Sequence, residues 1–140
     1  MDDTRYMRMA LEQAMQGDEP FGAVIVADGN VLAQAENRVL RNNDPMAHAE
    51  ITAIREALAV NPAALKGATM YASFEPCPMC AGACLHVGIS RIVYSTDALV
   101  VGWRDERGIS CEELIRRSSL TPVEVVGGVL LDESLPLYKK

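Results

Sequence analysis

The sequence predicts an α/β fold in which a β-sheet is covered by helices on both faces. Three observations carry that prediction. Short runs rich in β-branched residues alternate with longer runs of helical period. An Asp-Gly dipeptide separates the first two short runs. The composition, 49% hydrophobic and 23% charged over 140 residues, is that of a globular chain able to build a core. No internal repeat, low-complexity tract or linker-like stretch divides it, so one domain over residues 1–140 is expected.

Residues 4–16 place Met7, Ala10, Leu11, Ala14 and Met15 at helical spacing, an amphipathic first helix. Val24 to Ala27 and Val31 to Ala35 read as strands around Asp28-Gly29, a pair suited to a type I′ hairpin because both central residues take positive φ. Asp44-Pro45 opens a helix expected from about Met46 to Ala59, which Asn61-Pro62 ends. Thr69 to Ser73 is a short buried strand. Cys77 to Val87 follows as a helix, its start prepared by Pro76 and Pro78 and its end marked by Gly88. Arg91 to Ser95 is the next strand, Ser110 to Arg117 a helix, and Val123 to Val126 the last strand. A short C-terminal helix contains Leu131 to Tyr138. The first strand pair is expected antiparallel and the rest parallel.

A formal net charge of −6 argues against a surface built mainly to hold nucleic acid, since phosphate binding rests on clustered Lys and Arg, although a local basic patch can sit on an acidic protein. No stretch approaches the length of a membrane span. Asp2 and Asp3 stand where a secretory leader would be basic and apolar, and four cysteines without a leader fit metal binding or free thiols better than disulfides. A cytoplasmic location is expected.

The chemistry is concentrated in two segments, His48-Ala49-Glu50 and Pro76-Cys77-Pro78-Met79-Cys80. His48, Cys77 and Cys80 can supply three ligands to a zinc ion, one per chain, leaving the fourth tetrahedral position to water, as catalytic zinc sites do. Both segments fall where a helix begins after extended chain, and a helix N-terminus lowers the pKa of a nearby thiol. Cys77 and Cys80 are three apart and share one helical face. Glu50 is the proton carrier that an activated water requires. The competing reading is a closed structural Cys₂His₂ site completed by His86, with Glu50 merely solvated.

These segments, with Pro20-Phe21-Gly22-Ala23-Val24, Asn37-Arg38, Asn43-Asp44-Pro45-Met46-Ala47 and Glu75 ahead of Pro76, resemble the cytidine deaminase superfamily over nearly the whole length. The similarity is to the branch of guanine deaminase, yeast-type cytosine deaminase and bacterial tRNA adenosine deaminase. That resemblance implies a three-layer α/β/α sandwich with a five-stranded mixed sheet and a homodimer or larger homo-oligomer with sites near the subunit contact. It implies Asn37 as a hydrogen-bonding partner of the base, the Ala49 amide beside the reacting oxygen, and Phe74 and Glu75 as pocket wall.

The stretch from Thr96 to Glu106 sets the substrate in this branch. Asp97-Ala98 resembles both the tRNA enzymes and the guanine deaminases, whereas Gly102-Trp103-Arg104-Asp105 is closer to guanine-type enzymes. Cys80-Ala81-Gly82-Ala83 with Leu85-His86 is in the style of the tRNA enzyme. With the acidic charge and the lack of a long basic C-terminal helix, the expected substrate is a free nucleobase, nucleoside or related heterocycle: guanine-like first, with cytosine or an s-triazine possible. Asp97 and Asp105 are candidate acceptors for its N–H groups. The alternative is a tRNA-specific adenosine deaminase forming inosine, and a third reading is a non-enzymatic zinc module.

Overall fold

Asp28 and Gly29 sit at φ +50° and +76°, the two positive values a type I′ turn needs. They join β1 (Gly22–Ala27) to β2 (Asn30–Glu36) as an antiparallel hairpin. The computed structural model describes residues 2–103, 108–118 and 122–139. Within it β1 also pairs antiparallel with β3 (Thr69–Phe74), while β3 pairs parallel with β4 (Arg91–Thr96) and β4 with β5 (Glu124–Val126). The order is β2-β1-β3-β4-β5. Antiparallel first pairing and parallel later strands therefore hold, with β1 running against its four companions.

The helices are α1 (Asp3–Ala14), α2 (Val39–Asn42), α3 (Ala49–Val60), α4 (Pro78–Val87), α5 (Cys111–Ser118) and α6 (Leu131–Tyr138), with a 3₁₀ turn at Pro62–Leu65. On one face of the sheet, Ala53, Ile54 and Ala57 of α3, Ala81 and Cys84 of α4, and Ile115 of α5 pack on Ala23, Ile25, Met70 and Ile92. On the other, Tyr6, Met7 and Ala10 of α1 cover Val24, Val26, Tyr71 and Val93. Successive β1 residues thus feed opposite cores, which is why this strand is apolar without alternation. α6 lies on the α1 side, tied to it by an Arg8–Glu133 ion pair of 3.0 Å. The result is the expected three-layer α/β/α sandwich. α1 crosses so close to the start of β1 that a Cβ on Gly22 would lie 2.1 Å from the Ala10 carbonyl oxygen, so only glycine fits there. Among the described residues no helix is long and apolar enough to cross a membrane.

Most elements begin or end within two residues of the sequence expectation, and the start of α3 departs furthest. α3 begins at Ala49 and not near Met46, because the preceding residues spend their N–H groups on tight turns. Met46 N–H donates to Asp44 Oδ1 (2.9 Å), Ala47 N–H to the Asp44 carbonyl (3.0 Å) and His48 N–H to the Met46 carbonyl (2.8 Å). Likewise Cys77 is the N-cap of α4, which starts at Pro78. The sequence reading has no counterpart of α2, a single turn too short for periodicity, whose Val39 N–H is capped by Asn37 Oδ1 (3.1 Å).

Asp3 ties α1 to three strands. Its carboxylate receives both terminal nitrogens of Arg91 at 2.7 Å and the Tyr71 hydroxyl at 2.7 Å, and Arg91 Nε reaches Glu124 at 2.9 Å. The Arg91 guanidinium holds the Asp3 carboxyl below the usual carboxylate range, against the opposing effect of burial, with Tyr71 assisting. A group depressed in the folded state stabilises the protein above its unfolded pKa, and that contribution is lost as pH falls through the folded value. Asp3→Asn should therefore lower the urea midpoint at neutral pH. The gap to the parent should close on acidification below the ordinary carboxylate range; a gap independent of pH would contradict the role assigned to its charge.

Candidate metal centre and substrate cavity

Strands β2, β3 and β4 all end at the same edge of the sheet, and β1, running the other way, begins there. The residues singled out by sequence follow those strand ends. Asn37 comes directly after β2, Glu75 and Cys77 after β3, and Trp103 from the segment after β4, while Phe21 immediately precedes β1. Two helix starts close the gap above them.

His48 caps α3 in extended conformation (φ −63°, ψ 156°), and Cys77 caps α4 in the same way (φ −68°, ψ 169°). Pro78 occupies the first turn of α4, where its missing N–H costs no hydrogen bond. His48 Nδ1 lies 3.6 Å from Cys77 Sγ and 3.5 Å from Cys80 Sγ, and the three ligand atoms all fall within 4.8 Å of one another. A tetrahedral zinc with Zn–S ~2.3 Å and Zn–N ~2.0–2.1 Å requires an N···S edge of about 3.6 Å. The donor set therefore fits zinc in both chemistry and spacing. Contacts within the trio already favour the thiolate. The Cys77 thiol is drawn down to about 3, first because the Cys80 thiol donates to it, with His48 assisting and burial opposing. Cys80, which holds that proton and is buried, is pushed up. His86 lies exposed in the last turn of α4, outside this trio, so the closed Cys₂His₂ alternative does not form.

A cavity of about 360 Å³ opens beside the trio. His48, Glu50 and Cys77 line it together with Asn37, Phe74 and Glu75. Glu50, second in α3, is only 7% exposed. Ala49, the first residue of α3, is fully buried, and its N–H is one that a helix start leaves without an intrahelical acceptor. Asn37 is 3% exposed, and its Oδ1 is committed to Val39 N–H. That bond orients the amide and leaves its NH₂ as the end available to a ligand. Glu75 reaches the lining too, but its oxygens accept from Ala98 N–H (2.9 Å) and Cys111 N–H (2.8 Å), so its place is within the fold as much as in the wall.

Asp97 is not brought to the cavity. Its Oδ1 accepts from Val100 N–H at 2.8 Å and closes a turn, the ordinary use of an aspartate at such a position. Asp105 lies outside the described residues. The lining further includes Glu19, Phe21, Val39, Pro45 and Trp103. Phe21, Phe74, Trp103 and Tyr138 form one aromatic cluster, with Phe74 centred 5.0 Å from Trp103 and 4.8 Å from Tyr138. Phe74, the last residue of β3, is among the residues expected as pocket wall; periodicity could not single out Phe21 or Trp103, whose places just before β1 and in the segment after β4 are the signal that could have. The described lining holds three carboxylates and no lysine or arginine.

Protein purified without added metal should carry one zinc per chain, falling toward zero in Cys77→Ala and His48→Ala by elemental analysis. Chelation should lower the thermal midpoint, because binding energy at such sites is also folding energy. Stoichiometric zinc in Cys77→Ala would refute the ligand set.

Residues 1–96 match the family model for the cytidine and deoxycytidylate deaminase zinc-binding region. Guanine deaminase of Bacillus subtilis is 41% identical over 114 residues, 75% of this chain and 73% of that one. The tRNA-specific adenosine deaminase of the same organism is 38% identical over 141 residues, 94% of this chain and 83% of that one. A structure solved in work on A-to-I editing by tRNA:A34 deaminases at the wobble position superposes with a TM-score of 0.79 at 34% identity, covering 96% of this chain and 99% of that one. The matched stretch contains every member of the metal trio together with Glu50. The chain thus belongs to the zinc-dependent cytidine and deoxycytidylate deaminase family, whose members hydrolyse a carbon–nitrogen bond.

Proposed function

We propose that this deaminase acts on a free nucleobase, nucleoside or related aminated heterocycle, with guanine-like rings first. The observation that carries the reading is the cavity itself: among the described residues, aromatic side chains and three carboxylates line it and no Lys or Arg does. Such a lining suits a flat neutral ring and repels phosphate. The 41% identity to a guanine deaminase supports the same choice. The tRNA reading has its own support in the 34% identity to a tRNA deaminase structure over almost the full length of both chains.

Zinc, held by His48, Cys77 and Cys80, supplies a Lewis acid that makes water nucleophilic at neutral pH. Glu50 accepts a proton from the attacking water and delivers it to the ring nitrogen next to the reacting carbon. A second proton passes through Glu50 to the departing amine, so water and the amino-substituted ring become the oxo ring and ammonia. The Asn37 NH₂ donates to an acceptor on the ring edge, and the Ala49 N–H steadies the developing oxyanion. Phe74 and Trp103, packed on each other at 5.0 Å, form one aromatic wall against the ring and exclude water. Asp97, spent on Val100 N–H, has no part in this scheme.

We further infer that residues 1–140 act as one deaminase domain within a homodimer or larger homo-oligomer. Leu40 and Met46, next in sequence to the lining residues Val39 and Pro45, and Leu99 and Val100, in the segment that leads to Trp103, are exposed apolar side chains of the kind subunit contacts cover. Light scattering should give at least twice the mass of one chain at micromolar concentration; a fully active monomer would contradict this.

Zinc-loaded protein should release ammonia from guanine, or from guanosine, cytosine or an s-triazine, faster than it forms inosine in a tRNA anticodon stem-loop. Glu50→Ala should lose about 10²–10⁴-fold in kcat at unchanged zinc content. Reaction with the stem-loop alone would replace the small-ring reading by the tRNA one.

A further inference from the structure

Glu75 does more than line the cavity. It is 5% exposed, and its two carboxylate oxygens hold backbone N–H groups from two different parts of the chain. Oε1 accepts from Ala98, just past the end of β4, and Oε2 from Cys111, the first residue of α5. The chain that leaves β4 and the chain that enters α5 are thus fastened to one side chain. Charge-assisted bonds of this length are among the stronger hydrogen bonds in proteins, and Cys111 N–H also presents the positive end of a helix to the carboxylate. Glu75 N–H donates in turn to the Thr96 carbonyl at 2.8 Å, so backbone and side chain pin the same neighbourhood.

The connection to the cavity is short. The N–H of Ala98 is held by Glu75, and its carbonyl accepts the N–H of Trp103 at 2.8 Å. Ala98 is 1% exposed and packs with Phe74 and Tyr138, so it has no room to give. Trp103 then packs on Phe74 at 5.0 Å and lines the cavity. Two hydrogen bonds therefore separate the Glu75 carboxylate from the aromatic wall, and Glu75 itself stands two residues before the zinc ligand Cys77.

We propose that Glu75 is a positioning residue that sets the distance between the metal centre and the Trp103 wall, and so sets substrate affinity and ring selectivity. It acts through Ala98 and Trp103, not on the reacting atoms. Removing it loosens the wall equally for substrate and transition state, which raises KM and leaves kcat largely alone. This rests on the reading that the ring binds in this cavity.

The chain contains one tryptophan, so intrinsic fluorescence reports Trp103 directly and without any substrate. Glu75→Ala deletes both anchors. Glu75→Gln keeps the shape but sets an NH₂ against one of the two N–H donors, and it carries the test if the alanine variant does not fold. Expected are a red-shifted Trp103 emission, stronger acrylamide quenching, and a KM raised about tenfold with a much smaller change in kcat. Zinc should stay at one per chain. In a Trp103→Ala background, Glu75→Gln should raise KM no further, because the aromatic wall through which it acts is already gone. Unchanged emission and quenching with unchanged KM would overturn the proposal. So would loss of zinc and kcat with KM unmoved, which would place the effect on the Cys77 turn. If the parent protein deaminates no small ring, the substrate reading fails, while the fluorescence result still decides the role of Glu75.

Discussion

Three helices begin at one edge of this sheet, and the positive ends of their dipoles need negative charge beside them. That electrostatic requirement organises the site. α3 and α4 start over the same gap, and the Cys77 thiol, already drawn toward its anion, and the buried Glu50 lie between them. α5 starts against the carboxylate of Glu75. Each acidic group has a structural reason to be where it is before any chemistry is considered. The proposed mechanism would use the same groups: a thiolate suited to a dication, and a carboxylate next to it to handle protons.

The strand directions make that convergence possible. Because β2, β3 and β4 point the same way, their C-terminal ends deliver Asn37, the Cys77 turn and the Trp103 segment to one place. β1 points the opposite way and contributes Phe21 from its start. The cavity thus lies where ligands sit in open α/β sheets, beyond the carboxyl ends of parallel strands.

The metal trio and Glu50 were legible because their signals are local: ligand spacing, prolines ahead of a helix, and an Asp-Gly turn that fixes the first hairpin. What could not be read depends on where backbone N–H groups go. The turns over residues 44–48 consume donors that a helix from Met46 would have used, and the entry to α2 is held by the Val39 N–H bond to Asn37 Oδ1. The same question separates two acidic residues that looked alike in sequence. Asp97 answers a neighbouring N–H three residues on, whereas Glu75 answers two N–H groups, one of them 36 positions away. Sequence spacing carries no record of the second kind of partner.

The attachment of α1 has a consequence for the order in which the chain is made. α1 leaves the ribosome before the strands, yet Asp3 finds its partner Arg91 only 88 positions on and, through it, Glu124, and Arg8 finds Glu133 later still. Met7 and Ala10 pack with Val24 of β1, which emerges early, and with Val93 of β4, which emerges late. During synthesis the β1–β2 hairpin can close at once and offer Val24 and Val26 to the apolar side of α1, and Tyr71 of β3 and Val93 of β4 complete that cover later. Slowing translation between those two events lengthens the time for which α1 is held by the hairpin alone.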